Sequence, residues 1–266
     1  MRLLIRLRSL QDGPYEMQYH YHLQGFVYSL LQGSQYHHVH NKGGYKFFCF
    51  SNVFPANPLR KDDLRTLIIS SPDAEFISYL YEVLIKRSVA EVKVGSMKFG
   101  IDSLEKIDVR IPESHFSLIT GTPIIIRIPR EKYLAFGVEP KGQYDYVYWR
   151  SDHPIQLFIS QVEDNIMKKY AEYHGLYNPA AKHRDGQHPV RPNTPFLFQK
   201  FKFKKQVSTR VLMKGLEQVV IGTVWEFMFE GWENRDLVRF AVDCGLGERN
   251  SLGFGFMNLI NNRQEP

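Results

Sequence analysis

Between Arg2 and Arg8 the chain alternates strictly, with Leu3, Ile5 and Leu7 on one side and Arg2, Leu4, Arg6 and Arg8 on the other. A period of two fixes a strand with one aliphatic face and one largely basic face. The period then changes. Leu23, Phe26, Val27, Leu30 and Leu31 recur at helical spacing until Gly33 stops the pattern. YKFFCFS (45–51) and LRTLIIS (64–70) return to strand character. Ser71-Pro72-Asp73-Ala74-Glu75 opens a second helix, with proline at its first position, acids in its first turn and a stripe of Phe76, Ile77, Leu80 and Leu84. A strand around 103–111 closes the unit as strand, helix, strand, strand, helix, strand.

The same order recurs in the second half. TPIIIRI (122–128) reads as a strand, and Pro154 near Asp152 opens a helix striped by Ile155, Phe158, Ile159, Val162 and Ile166 that ends about Gly175. An irregular stretch rich in Pro, Gly and His follows (174–195). LFQKFKFKK (197–205), STRVLMK (208–214) and VVIGTVWEFMFEG (219–231) read as strands; Asn234 caps a helix carrying Leu237, Val238, Ala241 and Cys244, and LGFGFMNLI (252–260) is the closing strand. Two β-α-β-β-α-β units in tandem predict an α+β chain of two ferredoxin-like domains, the frame that RNA-recognition modules share. The expected division is 1–118 and 119–266, near the Gly121/Pro123 turn.

Composition narrows the function classes. A net charge of +6 with 14% aromatic residues is the pairing that single-stranded nucleic acid binders use, cations along phosphates and rings on bases. No run of 18 apolar residues occurs, and MRLLIRLRSLQDG lacks a signal-peptide core, so no membrane partner is expected. Cys49 and Cys244 supply neither a disulfide framework nor zinc spacing, which fits a reducing, cytoplasmic setting.

The most specific motif lies near the C-terminus. CGLGERNSLGFGFM (244–257) sets Gly245, Gly247, Gly253 and Gly255 as two G-x-G pairs around a five-residue insert. Glycines there could leave amides facing phosphate oxygens, or could serve only the sterics of a tight helix-to-strand connection. A dinucleotide fingerprint is excluded because the helix precedes the glycines and the strand follows. This block resembles the C-terminal signature of the CRISPR-associated RAMP proteins. With MRLLIRL at the start, HLQGFVYSLL (22–31) and HNKGGYKFFCFS (40–51), the chain is similar throughout its length to the repeat-processing endoribonucleases of the sixth Cas family.

That resemblance implies cleavage of precursor CRISPR RNA within the repeat, without metal or other cofactor, leaving 2′,3′-cyclic phosphate and 5′-hydroxyl ends. It places catalysis on His40, which opens H-N-K-G-G-Y-K, on Lys46 before the aromatic strand, and on Tyr28 in G-F-V-Y. The residue chemistry agrees: the reaction needs a base for the ribose 2′-hydroxyl, a cation for charge building on phosphorus and an acid for the departing oxygen. Histidine can serve as base or acid, and lysine is a point charge suited to phosphate. Tyr28 lies about 130° around its helix from the centre of the apolar stripe, beside Gln24. Plainer readings stand beside these: a helix-flank tyrosine, a strand-leading lysine, and solvated histidines at 37 and 38. A metal cluster at His37, His38 and His40 is disfavoured, because no carboxylate lies within ten residues C-terminal to it.

For RNA binding, Lys200, Lys202 and Lys204 share one strand face opposite Phe201 and Phe203, continuing through Lys205 and Arg210 as a cationic ridge; the alternative is a solvated face. His38, Arg249 and the four loop glycines complete the expected RNA contacts. Expected partners are CRISPR repeat RNA and its precursor transcript, with a homodimer or a transient association with an interference complex left open. The rival reading is a non-catalytic RAMP subunit that binds guide RNA within such a complex.

Overall fold

Leu3, Ile5 and Leu7 are completely buried in the central strand of a first antiparallel sheet, as the N-terminal alternation requires. The computed structural model describes residues 1–41, 43–86, 91–176, 200–213, 215–229 and 235–260; the side chains of His40, Asn41 and Met213 lie outside that description. In chain order the first unit runs β1 (Arg2–Ser9), α1 (Tyr19–Leu31), α2 (His38–Asn41), β2 (Cys49–Phe50), β3 (Leu64–Ser70), α3 (Ala74–Lys86), β4 (Val92–Val94) and β5 (Met97–Ile107). The sheet order is β2-β3-β1-β5-β4. Helices α1 and α3 supply Leu23, Val27, Leu30, Ile77 and Leu80 to its core, and each such side chain contributes about 1.5–3 kcal/mol by leaving water. The start of α3 is capped by Asp73, whose Oδ1 accepts from the Phe76 amide at 3.0 Å.

The second unit runs β6 (Phe116–Thr120), β7 (Arg127–Pro129), α4 (Arg130–Ala135), β8 (Tyr146–Tyr148), α5 (Ile155–Tyr173), β9 (Lys200–Met213), β10 (Leu216–Phe229), α6 (Arg235–Cys244), a 3₁₀ turn (Asn250–Leu252) and β11 (Met257–Ile260). Its sheet order, β11-β6-β10-β9, repeats the first unit's order once the extra edge strand β4 is set aside. The fold is therefore a tandem of ferredoxin-like domains. Among the described residues no helix is long and apolar enough to cross a membrane.

Several boundaries differ from the sequence expectation. The strand expected at 103–111 is β5, the return arm of a hairpin in which Val94 pairs with Met97 around Gly95 at φ +59°. The strand expected at 122–128 is not the first of its sheet; β6 is. Ile124, Ile125, Ile126 and Ile128 are all buried, so the run has no alternation to declare a sheet face. It makes single bridges to Thr223 and Glu248 and then a two-stranded ribbon, β7 with β8. Because β6 pairs within the second sheet, the domain division falls ahead of Phe116, not at 118/119. The strands expected at 197–205 and 208–214 are one strand, β9. The irregular stretch beyond residue 176, Lys214 and the Asn234 cap lie outside the described residues.

A bulge in β9 reorders its faces. Phe203 faces Trp225 and Lys205 faces Val224, so Lys204 is the extra residue, and odd- and even-numbered residues exchange sheet faces beyond it.

Candidate active site

The two domains meet through the glycine loop. At Gly255 (φ +70°) a Cβ would overlap the Leu246 carbonyl, and at Gly253 (φ +81°) it would overlap the Phe50 ring on β2. Only glycine permits that approach, which seats the loop on the first domain. Arg2, on the basic side of β1, reaches the same junction: it is buried, donates to the carbonyls of Met257 and Val242, and lies 4.7 Å over the Phe256 ring.

The loop is wound around a buried ammonium. Lys169 Nζ donates to Gly245 O at 2.9 Å, Gly247 O at 2.6 Å and Asn250 Oδ1 at 2.6 Å. Asn250 Nδ2 in turn donates to Leu246 O and Phe254 O at 3.0 and 2.9 Å. Desolvation holds the Lys169 pKa below its ordinary value, and the three oxygens offset that cost. At three of the four glycines the amide is already bonded within the protein. Gly245, Gly253 and Gly255 donate to Ala241 O, Asn250 O and Pro123 O, and all four glycines are buried. Those three amides are spent within the protein, and at all four positions a Cβ would meet a neighbouring atom at under 3 Å.

Opposite the loop, α1 and the chain leading into β2 bring two of the expected catalytic residues together. Lys46 Nζ lies 5.1 Å over the Tyr28 ring and donates to Val39 O at 2.9 Å. Tyr28 packs edge-on to Phe48 at 6.2 Å. Gln24 Nε2 donates to Ser251 O at 3.0 Å and to Tyr28 Oη at 3.4 Å, tying α1 to the glycine loop. Val39 precedes His40, so Lys46 is anchored one residue from it on α2; the His40 side chain itself lies outside the described residues. His38 is exposed, with Nδ1 2.7 Å from Gln35 O.

Lys46 also lines a cavity of about 300 Å³ between the β2 lead-in and the glycine loop, together with Arg127, Lys169 and Arg249. The carboxylate in its lining, Glu248, is held by Arg127, which donates from Nε at 2.6 Å and from its main-chain N at 3.0 Å. Four cations against one carboxylate make this a cleft that attracts polyanions.

On β9, Lys200, Lys202, Lys204 and Lys205 are exposed. Phe201 and Phe203 turn the other way, onto Trp225 at 5.9 and 5.1 Å. Lys204 pairs with Glu226 at 2.5 Å. Arg210 does not extend this ridge. Beyond the bulge it sits across from Val219, on the Trp225 face, and pairs with Glu217 at 3.8 Å.

Sequence reasoning missed Arg127, Lys169, Asn250, Gln24 and Ser251. One signal was available: Lys169 continues the stripe of Ile155, Ile159, Val162 and Ile166, and a lysine on an apolar helical face calls for a buried partner set.

Tandem ferredoxin-like domains joined by a doubled G-x-G loop, with a cationic cavity at the joint, define a RAMP-class protein. The family model described as CRISPR associated protein Cas6, C-terminal, matches residues 104–259. The CRISPR-associated endoribonuclease Cas6 2 of Methanocaldococcus jannaschii is 34% identical over 268 residues, covering 98% of this chain and 100% of that one. The Cas6 endoribonuclease of Haloferax mediterranei is 28% identical over 265 residues, covering 98% and 94%. A solved structure of a Cas6-related protein from Pyrococcus furiosus superposes with a TM-score of 0.71 at 20% identity, over 99% of both chains. This chain belongs to the Cas6 family of CRISPR-associated endoribonucleases.

Proposed function

We propose that the chain binds precursor CRISPR RNA and cuts it within the repeat, by attack of a ribose 2′-hydroxyl on the adjacent phosphodiester, with no metal ion required. The 2′-oxygen forms its bond to phosphorus as the bond to the 5′-oxygen breaks. The products are a 2′,3′-cyclic phosphate and a 5′-hydroxyl. His40 takes the 2′-hydroxyl proton, Lys46 stabilises the charge on the phosphorane oxygens, and Tyr28 positions the phosphate or returns a proton to the leaving oxygen. Side chains supply base, cation and acid, the three elements this chemistry needs.

The observation that supports this reading is the convergence of the Tyr28 ring and the Val39 carbonyl of α2 on Lys46, which itself lines a cationic cavity. The test is a 5′-labelled repeat RNA incubated with the protein in EDTA, followed by end-group analysis. Cutting that persists in chelator and leaves cyclic phosphate agrees with the mechanism. Cutting that needs a divalent ion, or that proceeds on RNA with 2′-deoxyribose at the cut position, rejects it. Tight binding with no cutting points instead to a subunit that only holds RNA.

A further inference from the structure

The β7–β8 ribbon is an insertion between β6 and α5 that the ferredoxin-like plan does not require. Its register pairs Arg127 with Tyr148, Ile128 with Val147 and Pro129 with Tyr146. Ile128 is fully buried and Val147 packs on the second-domain core. Strand alternation therefore turns Arg127, Tyr146 and Tyr148 onto the other face. Tyr148 lies partly buried against the cluster of Ile125, Val211, Val220, Leu252 and Phe254. Tyr146 is 57% exposed, with the Arg127 guanidinium 5.9 Å from its ring centroid.

Arg127 is the link. It lines the cavity beside Arg249 and Ser251, held there by Glu248, and it also caps the ring of Tyr146. A cation that follows phosphates next to an open aromatic face is how single strands are gripped, and the contact tolerates sequence because every base has a π face. We infer that the outward face of the β7–β8 ribbon is a base-stacking subsite, where an unpaired nucleotide flanking the scissile phosphate lays its base on Tyr146 while Arg127 faces its phosphate. The inference rests on the RNA-cleaving reading above and adds to it a contact outside the Tyr28, His40 and Lys46 set.

The experiment separates the two. Wild-type cutting of a repeat RNA tests the cleavage reading. Affinity for the same RNA, measured by anisotropy in a His40→Ala background, tests the subsite. Tyr146→Leu removes the ring from an exposed position and should weaken binding about 5- to 100-fold, whereas Tyr146→Phe should stay within about twofold. The salt dependence of binding should not change, since both variants keep every charge. With 2-aminopurine placed at successive unpaired positions, one position should be quenched by the Phe variant and bright with the Leu variant. If the Leu variant binds as tightly as its parent, or the Phe variant loses as much as the Leu variant, the stacking subsite is overturned even where wild-type cutting proceeds. Absence of wild-type cutting with ring-dependent binding intact overturns the cleavage reading alone.

Discussion

His20 on α1 joins the two halves of the site, and its titration can be worked from its surroundings. The ring is 3% exposed, stacked 4.1 Å from Tyr19 and 4.2 Å from Phe254, with Nδ1 2.7 Å from Leu252 O in the glycine loop. Burial pushes its pKa down to about 4 from 6.5, outweighing the bond to Leu252 O, which acts the other way. Between these two values the unfolded chain binds a proton that the folded chain refuses, so stability rises with pH across the window. As pH falls from 6.5 the contribution is lost, and the loss is complete a little below 4. At pH 4.5 it amounts to about 2.5 kcal/mol, taking about 1.36 kcal/mol per unit, or about 5–10 °C in Tm for a chain of this size. His20→Phe keeps both ring contacts and cannot titrate. It costs about 1–3 kcal/mol at pH 7.5 by leaving Leu252 O without its donor. Urea unfolding of both proteins at pH 7.5, 6.5, 5.5 and 4.5 should therefore show the gap between them closing with acid. Stability curves that run parallel across that range would refute the assignment of a neutral, desolvated imidazole at the joint.

Three further outcomes follow from the same geometry. Lys169→Met strips the donor from two carbonyls and the Asn250 side chain, so calorimetry should find a loss of about 3 kcal/mol, roughly 6–12 °C in Tm; a Tm unchanged within about 1 °C would mean the loop does not depend on the ammonium. Gly255→Ala places a Cβ against the Leu246 carbonyl at a positive φ, so the variant should be recovered insoluble or with a loss above about 4 kcal/mol, and a wild-type melting profile would show the loop is looser than described. Charge reversal of Lys200 and Lys202 should weaken RNA binding and lower the slope of log affinity against log salt by about 0.7 for each phosphate no longer neutralised, with Arg210→Glu on the opposite face doing less; equal effects from both faces would remove the ridge.

Much of the fold was legible because it rests on local periodicity. β1, α1, α3 and α5 declare themselves by alternation or by an amphipathic stripe, and the tandem order follows from their sequence. What was not legible depends on burial from several sides. The Ile124–Ile128 run packs against the sheet and the glycine loop together, so it carries no face signal. The bulge at Lys204 exists only in the pairing of β9 with β10, and it turns Arg210 away from the lysines that strict alternation would align with it. At the site, Tyr28 and Lys46 could be nominated from their motifs and are brought into contact. Arg127 and Asn250 could not, since what matters about them is which distant carbonyl or carboxylate they meet. Of the two readings the glycine motif allowed, the steric one describes the packing at all four positions, and the amides of Gly245, Gly253 and Gly255 serve the protein.

Single-turnover cleavage of a repeat RNA by His40→Ala, with the dissociation constant measured in parallel, weighs the catalytic assignment most directly. A proton-transfer role at that position predicts a rate about 10²- to 10⁴-fold lower with affinity within about threefold of the parent protein. Cutting at the parent rate, or a drop in rate explained wholly by weaker binding, would contradict it.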